Sequence, residues 1–451
     1  MVDGGRPARI SGLATARIIG HHRKLVLGTI GQDDAPFGQG SLVRFRARMV
    51  AHDLDKRLLD RTVELAKSTR GFGWQALRAA FDSSPLVGAG RVEDTWNLIG
   101  RAMRHLVAAV AKVLGQTVEQ VCASAKVSVL RGSSIKGVLD IDWDDPEART
   151  KGLARLVSEA ESLRAWVHVQ AGEKSQGPPL DAALADLARV IEQDTEPDPD
   201  APAKRRLAVK SAPDLLISLG DRDMRHGRKS STKLINGYKR HVATVQGHRL
   251  VLAIVVRPAN EAEYRALAPL LEGLPANDPL EAVLFDRGYL ASPEVPRLIA
   301  KGVDVVAKPW SPGHREDGLF GKEDFAVDLD RGQVRCPAGV TATIGARLEA
   351  RFGSACRDCL LRARCTNAKN GRTIQVHAQE GLLQTLRARM ATAEGRRAFG
   401  ARVSVEHTLA RIAALQGPRA RYRGLRMNTL DARRHSTVTN LMTLKNHYEA
   451  A

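Results

Sequence analysis

The chain has 451 residues, of which 43% are hydrophobic, so it can bury a core large enough for two or three domains or for one domain with insertions. Its 69 lysines and arginines outnumber its 50 aspartates and glutamates, and the resulting net charge of +19 indicates a polyanionic partner, nucleic acid above all. The longest apolar run, residues 250–256, is too short to cross a bilayer, so we expect a cytoplasmic protein with no membrane partner.

The first 80 residues predict a basic helical region. The opening of this region is basic and unpatterned, whereas apolar residues recur at three- and four-residue spacings over residues 41–80. Such a region suits DNA contact or dimerisation, and an ordinary packed helical layer has the same pattern.

Two acidic motifs follow. The sequence F-D-S-S-P at residues 81–85 predicts either a strand end that presents Asp82 as a metal ligand or a helix N-cap. Residues 138–145, V-L-D-I-D-W-D-D, alternate apolar and acidic side chains. This alternation either places Asp140, Asp142 and Asp144 on one face of a strand, as a rival metal site, or marks a solvated acidic turn. The surrounding stretch is mostly helical, and the Pro- and Asp-rich residues 192–204 predict a linker.

Strand patterns dominate after this linker. Residues 237–245 and 249–257 predict a hairpin, and Asn260 with Glu263 resembles a helix capping box. A short apolar strand then ends at Asp286, just before Gly288, and that acid is either a strand-end ligand or a helix cap. A helix that stops at Gly302 and a strand over 303–307 complete a mixed α/β pattern with a partly parallel sheet.

Four of the five cysteines cluster in the spacing C-x19-C-x2-C-x5-C. They are Cys336, Cys356, Cys359 and Cys365. Thiolates gathered by a C-x2-C turn suit tetrahedral structural zinc, while unliganded thiols are the alternative.

The carboxyl-terminal part predicts two helices joined by a basic loop. The first, over about 395–414, carries Arg402 and Glu406 one turn apart, a spacing that an exposed ion pair also has. The loop 418–426, P-R-A-R-Y-R-G-L-R, places four arginines around Tyr422, which suits contact with a DNA backbone.

Taken together, F-D-S-S-P, the run G-R-K-S-S-T-K-L-I-N-G-Y-K-R-H-V from Gly227, F-D-R-G-Y around Asp286, the cysteine cluster and R-V-S-V-E-H resemble a DDE transposase of bacterial insertion sequences. Such transposases often carry the signature Tyr-x2-Arg-x3-Glu-x6-Lys. Here Phe399 stands in the tyrosine position, Arg402 and Glu406 match, and Ala413 stands in the lysine position.

This resemblance implies an RNase H-like α/β fold, with a mixed sheet flanked by helices, over residues 81–450. The sheet would be interrupted by a helical insertion, 91–210, and by a Cys-rich, zinc-knuckle-like insertion, 320–370. Asp82, Asp286 and Glu406 would hold two Mg²⁺ or Mn²⁺ ions for phosphodiester cleavage and strand transfer, and Arg402 would orient Glu406 or a phosphate.

The resemblance also implies double-stranded DNA partners, namely transposon ends and target, and a homo-oligomer. The residues expected to contact the DNA backbone are Arg225, Arg228, Lys229, Lys239, Arg240, Arg421, Tyr422 and Arg423. The alternative function is a catalytically inactive, truncated remnant that acts only as a DNA-binding protein.

Overall fold

The computed structural model describes residues 37–172, 177–229, 232–310 and 318–450. The unpatterned basic start of the predicted N-terminal region therefore lies outside the described residues. Thirteen helices of five residues or more occur in these ranges: α1 Gln39–Ala51, α2 Leu54–Ser68, α3 Thr95–Leu114, α4 Val118–Ser124, α5 Ile135–Leu139, α6 Pro146–Ala171, α7 Pro178–Asp194, α8 Leu267–Glu272, α9 Glu294–Ala300, α10 Glu380–Ala391, α11 Ala393–Gly400, α12 Val403–Gln416 and α13 Leu425–Ala450.

The strands divide between one central sheet and three small ones. They are β1 Leu77–Val87, β2 Thr195–Asp198, β3 Ala201–Leu207, β4 Arg225–Arg228, β5 Leu234–Val245, β6 Val251–Pro258, β7 Leu280–Phe285, β8 Asp304–Ala307, β9 Ala326–Asp328, β10 Gln333–Arg335, β11 Thr341–Thr343, β12 Glu349–Arg351 and β13 Thr373–Gln375. The predicted hairpin, the strand before Asp286, the helix after it and the next strand are all confirmed.

The central sheet is mixed. β1 lies in its middle, antiparallel to β5 on one side and parallel to β7 on the other, and β7 is parallel to β8. The far edge of β5 pairs with β6 and β4, both antiparallel. Three parallel strands beside an antiparallel hairpin form a mixed α/β architecture, which is consistent with an RNase H-like domain.

Alternation along the strands gives the sheet two buried faces. Phe81 and Phe285 point to one face, where they join a core that includes Leu267, Val295 and Leu298. Ala80, Leu284 and Val306 point to the other face, which α12 covers with Val405, Leu409 and Ile412. Because side chains alternate with a period of two, even-numbered positions of β1 and β7 face α12.

The segment between β1 and β4 forms a helical unit with its own core. Helices α3, α6 and α7 contribute most of its buried residues, among them Met103, Leu156 and Leu187. Residues 192–204, predicted to be a linker, are instead the end of α7 and the paired strands β2 and β3. Across that hairpin, Arg206 of β3 forms an ion pair with Glu196 of β2.

The alternating acidic stretch 138–145 is not a strand. α5 ends at Leu139, Asp140 adopts a left-handed backbone conformation at φ 46°, and Asp145 caps the start of α6. Asp142 accepts a hydrogen bond from the backbone of Asp144, and all three rival acids are exposed at this turn. The rival metal site in this stretch was therefore wrong, and the acidic turn is the correct reading.

Helices α2 and α13 pack against each other beside β6, and a buried carboxylate joins them. Asp55 of α2 accepts hydrogen bonds from Arg426 at 2.6 and 3.0 Å and from Arg433 at 3.1 Å. No single helix among the described residues is long and apolar enough to cross a membrane, although α3 and α4, which meet at a sharp bend, reach the required length and composition when taken together.

Candidate active site

The first predicted acid, Asp82, lies in the middle of a strand. The sequence predicted a strand end at this position, but β1 continues to Val87 because its whole second half pairs with β5, from Asp82 opposite Val242 to Val87 opposite Gly237. Asp82 is therefore held on a strand that is paired on both sides for part of its length. Such a backbone fixes the direction of the carboxylate more firmly than a loop would.

Asp286 follows the strand that is parallel to the strand of Asp82. Ala80 of β1 lies opposite Leu284 of β7, so Asp82 and Asp286 each come two residues after a paired position. Asp286 follows the last residue of β7 and its Oδ1 accepts the backbone N–H of Arg287 at 2.7 Å. Asp286 thus ends a strand and also caps the following turn.

The third predicted acid reaches the same place from α12. The predicted helix over 395–414 is broken, because α11 ends at Gly400 and α12 begins at Val403. Arg402, at the break, directs its guanidinium to two carboxylates: Nη1 lies 3.2 Å from Asp82 Oδ2, and Nη2 donates to Glu406 Oε1 at 2.5 Å. Arg402 and Glu406 are therefore more than an exposed helical pair, because the arginine side chain is only 13% exposed and connects α12 to β1.

The surroundings of Asp82 disfavour its charged form. Burial raises the pKa of the Asp82 carboxyl, Arg402 opposes this rise, and the nearby carboxylates of Glu406 and Glu263 add to it. The site therefore gathers negative charge at a partly buried position, where a cation would lower the free energy of the ionised acids.

The carboxylates of Asp82, Asp286 and Glu406 do not form a metal coordination shell in this structure. Within the described ranges, no three His, Cys, Asp or Glu side chains converge closely enough to hold a metal ion. The Arg402 guanidinium stands between Asp82 and Glu406, and Glu406 is 48% exposed, so its side chain has room to turn toward the other acids.

One site residue, Glu263, was assigned wrongly from the sequence. It does not cap a helix with Asn260, since Ala262 precedes its turn without a side-chain cap and Asn260 donates to Asp214 instead. Glu263 Oε1 accepts a 2.6 Å hydrogen bond from Ser83 Oγ. The acid after a strand was visible in the sequence, but the partner Ser83 lies 180 residues away.

Two of the arginines expected to contact DNA are buried structural residues. Arg225 is 8% exposed and donates to Asp214 Oδ1 at 2.6 Å and to the backbone oxygens of Arg222 and Met224. Arg240 is 2% exposed and donates to Gln416 Oε1 at 2.9 Å and to Pro85 O at 2.8 Å. Their assignment to DNA was wrong, because both side chains are buried and bonded to protein acceptors.

The remaining cations lie at the surface. Arg228 and Lys229 are exposed at the end of β4, and Lys239 is half-buried with its ammonium 3.5 Å from Glu261 O. In the loop 418–424, Arg421 and Arg423 are exposed and Tyr422 is half-buried.

This basic loop is fixed to the site strand. Its backbone pairs with the end of β1, where Val87 N donates to Pro418 O at 3.1 Å and Ala420 N donates to Val87 O at 2.7 Å. Asp221 accepts the N–H of Gly424 at the other end of the loop, at 2.9 Å. Since a strand rises about 3.3 Å per residue, the pairing at Val87 lies about 17 Å from Asp82 along β1.

The four clustered cysteines surround one small cavity in the segment between β8 and α10. All four sulfur-bearing residues line it together with Phe320, Phe352 and Arg372. A tight turn follows Cys336, with Gly339 at φ 84° and its N–H bonded to Cys336 O, and Cys356 Sγ accepts the N–H of Arg372 at 3.4 Å. The five cysteines of the chain form no disulfide.

Comparison with known proteins gives one match. A model of the transposase DDE domain family matches residues 208–441, slightly more than half of the chain, a range that contains Asp286, Arg402 and Glu406 and leaves Asp82 outside. No curated protein and no solved structure matches the chain. With the match over this range, the chain belongs to the transposase DDE domain family.

Proposed function

We propose that this chain is a transposase that binds the DNA ends of an insertion sequence and catalyses metal-dependent phosphodiester cleavage and strand transfer. One observation carries the proposal: Arg402 links Asp82 of β1 to Glu406 of α12, beside Asp286 at the end of the adjoining parallel strand. In this proposal these three acids, from separate parts of the chain, come together when metal binds.

The chemistry of these side chains fits Mg²⁺ or Mn²⁺. Asp82, Asp286 and Glu406 offer only carboxylate oxygens, the donors that small hard divalent cations prefer. Transposases of this family generally use divalent metal ions, and Asp82, Asp286 and Glu406 would hold them here. Two such ions, when bound, activate the attacking hydroxyl or water and stabilise the leaving oxygen.

The residues around the acids have positioning roles in this proposal. Arg402 fixes the direction of Asp82 and of Glu406 before DNA arrives, and it supplies a guanidinium near the position of a scissile phosphate. Tyr289 lies under the site with its pKa raised by complete burial, so its hydroxyl keeps its proton and adds no charge.

The surface cations supply the DNA contact. Arg421, Tyr422 and Arg423 lie on a loop anchored to β1, so a duplex gripped there is held at a set distance from Asp82. Arg228, Lys229 and Lys239 extend the positive surface along β4 and β5. We further propose that the protein acts as a homo-oligomer on paired ends, which the mass of the protein–DNA complex in solution will test.

The substitution Asp286→Asn tests the catalytic proposal. It keeps the shape of the side chain and its acceptor for the Arg287 N–H but removes the charge. We expect Mg²⁺-dependent cleavage of a DNA end cloned from the flanks of the gene to disappear and binding of that end to remain. Cleavage by the variant would sink the assignment, whereas binding without cleavage by the unsubstituted protein would favour the inactive remnant.

We also propose a structural zinc ion bound by Cys336, Cys356, Cys359 and Cys365. Four thiols around one cavity match the ligand number of tetrahedral zinc, and the backbone N–H that reaches Cys356 would stabilise a thiolate. We expect one zinc per chain, released on denaturation to a chromogenic chelator. Cys359→Ser should lose the metal and Cys122→Ser, outside the cluster in α4, should retain it.

A further inference from the structure

Glu263 is a fourth carboxylate at the site. It begins the turn Glu263–Ala266 just after β6, and its Oε1 accepts the hydroxyl hydrogen of Ser83 at 2.6 Å. Ser83 is the residue after Asp82, so this bond ties Glu263 to the strand of the first acid. The negative charge of Glu263 is close enough to act on both Asp82 and Tyr289.

The second oxygen of Glu263 faces the segment of the other aspartate. A Cβ added to Gly288 would lie 2.1 Å from Glu263 Oε2, far inside van der Waals contact. Gly288 is two residues beyond Asp286, so the Glu263 carboxylate is wedged between the two backbones that carry Asp82 and Asp286. A side chain at the glycine of F-D-R-G-Y would therefore force the Glu263 carboxylate to move.

A buried polar pair lies near Glu263. Tyr289 is fully buried, and its hydroxyl shares a 2.8 Å hydrogen bond with Nδ1 of His241, the cross-strand neighbour of Ser83. Burial lowers the pKa of His241 to about 3 and raises that of Tyr289, so both groups are neutral. Within the described parts of the chain, Glu263 has no ion-pair partner, because the guanidinium at this site, that of Arg402, binds Asp82 and Glu406.

We infer that Glu263 belongs to the active site, where it positions the segments of Asp82 and Asp286 and adds a fourth negative charge that helps the site to hold divalent cations. The inference rests on the proposed function of the three acids. A carboxylate that served only as an acceptor for Ser83 would contribute its oxygen to the fold, and its charge would be irrelevant.

Glu263→Gln separates these two roles. The amide keeps an oxygen for Ser83 and nearly the same volume, while the charge is lost. Binding of Mn²⁺ to the full chain, measured by electron paramagnetic resonance of the free ion without DNA cleavage, provides the readout. We expect the half-saturating Mn²⁺ concentration to rise about 10-fold or more, as for other residues that support metal ligands.

Two further variants complete the design. Glu272→Gln, on the exposed surface of α8, makes the same chemical change away from the site and should bind Mn²⁺ like the unsubstituted protein. Gly288→Ala alters no acid but displaces the Glu263 carboxylate by collision, so it should weaken Mn²⁺ binding in the same direction. It also provides the measurement if the glutamine variant fails to fold.

The outcomes distinguish this inference from the function on which it rests. If Asp286→Asn weakens Mn²⁺ binding while Glu263→Gln and Gly288→Ala do not, Glu263 is only a hydrogen-bond acceptor and the inference is overturned. If Asp286→Asn also leaves Mn²⁺ binding unchanged, the metal site itself is refuted. Weaker binding in all three variants, with Glu272→Gln unaffected, supports the fourth carboxylate.

Discussion

Arg402 contacts both Asp82 and Glu406, and we predict that lysine cannot replace it. Arg402→Lys keeps the positive charge but substitutes one ammonium for a planar group that reaches two carboxylates on different elements. Nη1 lies 3.2 Å from Asp82, Nη2 lies 2.5 Å from Glu406, and the guanidinium carbon lies 5.5 Å from the centre of the Phe399 ring. A lysine can meet one of these acids at a time, so the other loses its orientation.

The geometry of the two contacts sets the size of the effect. The contact with Asp82 is an ion pair in which Nη1 makes no hydrogen bond; it is mostly shielded from solvent, at 13% and 20% exposure, and contributes about 1 to 3 kcal/mol, between an exposed pair and a fully buried one. The contact with Glu406 is 48% exposed on the acid side and adds less than about 1 kcal/mol. A loss of about 1 to 3 kcal/mol in the positioning of the acids corresponds to a rate of cleavage lower by about 5- to 160-fold.

Single-turnover cleavage of a labelled DNA end, with protein and Mg²⁺ in excess, measures this rate directly. Arg397→Lys, on the exposed surface of α11, is the matched control and should cleave normally. DNA affinity is measured in parallel by fluorescence anisotropy and should not change. A lysine variant that cleaves within about threefold of the unsubstituted protein would refute this role of Arg402, and an equal loss of DNA affinity would assign Arg402 to the phosphate backbone instead.

Three further predictions follow from charges at other positions. Burial raises the pKa of Asp82, so its ionised form opposes folding at neutral pH. Asp82→Asn should therefore abolish cleavage, and its Tm should be equal to or up to about 2 °C above that of the unsubstituted protein. This difference in Tm should shrink as the pH falls through the folded pKa, and a lower Tm in the variant would contradict the reasoning. Burial alone would raise the pKa of Asp55, but Arg426 and Arg433 outweigh burial and lower that pKa. Asp55→Ala should therefore lower the free energy of unfolding by about 2 to 4 kcal/mol. The loss is smaller than for a fully buried ion pair because Arg426 is 35% exposed. That difference should fade below the ordinary pKa of 3.8, and Asp60→Ala, whose partner Lys56 is exposed, should lower the free energy by less than about 1 kcal/mol in the same denaturant titration. Arg421→Gln and Arg423→Gln should each reduce the slope of log K for DNA binding against log salt concentration by about 0.9. The control Arg331→Gln changes an arginine that is 80% exposed in the Cys-rich segment, and it should leave this slope unchanged. Unaltered slopes in the two loop variants would show that the loop does not contact DNA.

Much of the central sheet could be predicted from local sequence patterns. The hairpin of β5 and β6, the strand β7 and the strand β8 could be predicted because β-branched runs, apolar runs and turn residues act within a few positions of each other. Asp286 could be found for the same reason, since the strand that delivers it is read from adjacent residues.

Features that depend on distant partners could not be read in this way. A run of cations looks alike whether its members face DNA or a buried acceptor, and Arg225 is turned inward by Asp214 while Arg240 is turned inward by Gln416, 176 residues along the chain. The break between α11 and α12 was also missed, and the contact it accompanies, from Arg402 to Asp82, joins residues far apart in the sequence. Glu263 was misassigned as a cap residue because its hydrogen-bond partner, Ser83, lies 180 residues away.

The central place of β1 sets the order in which the molecule can fold during synthesis. This strand leaves the ribosome early, but both of its neighbours, β5 and β7, follow only after the whole helical unit between them. Glu263 lies 180 residues after Ser83, an interval of roughly 10 to 40 s at ordinary rates of translation. For most of that time Ala79, Ala80 and Phe81 lack their partners on both edges, while the helical unit, with its own core, can already be complete. Arg402 and Glu406 follow both strands in the sequence, so a nascent chain that stops before α12 holds Asp82 and Asp286 without the arginine that contacts Asp82 and without Glu406.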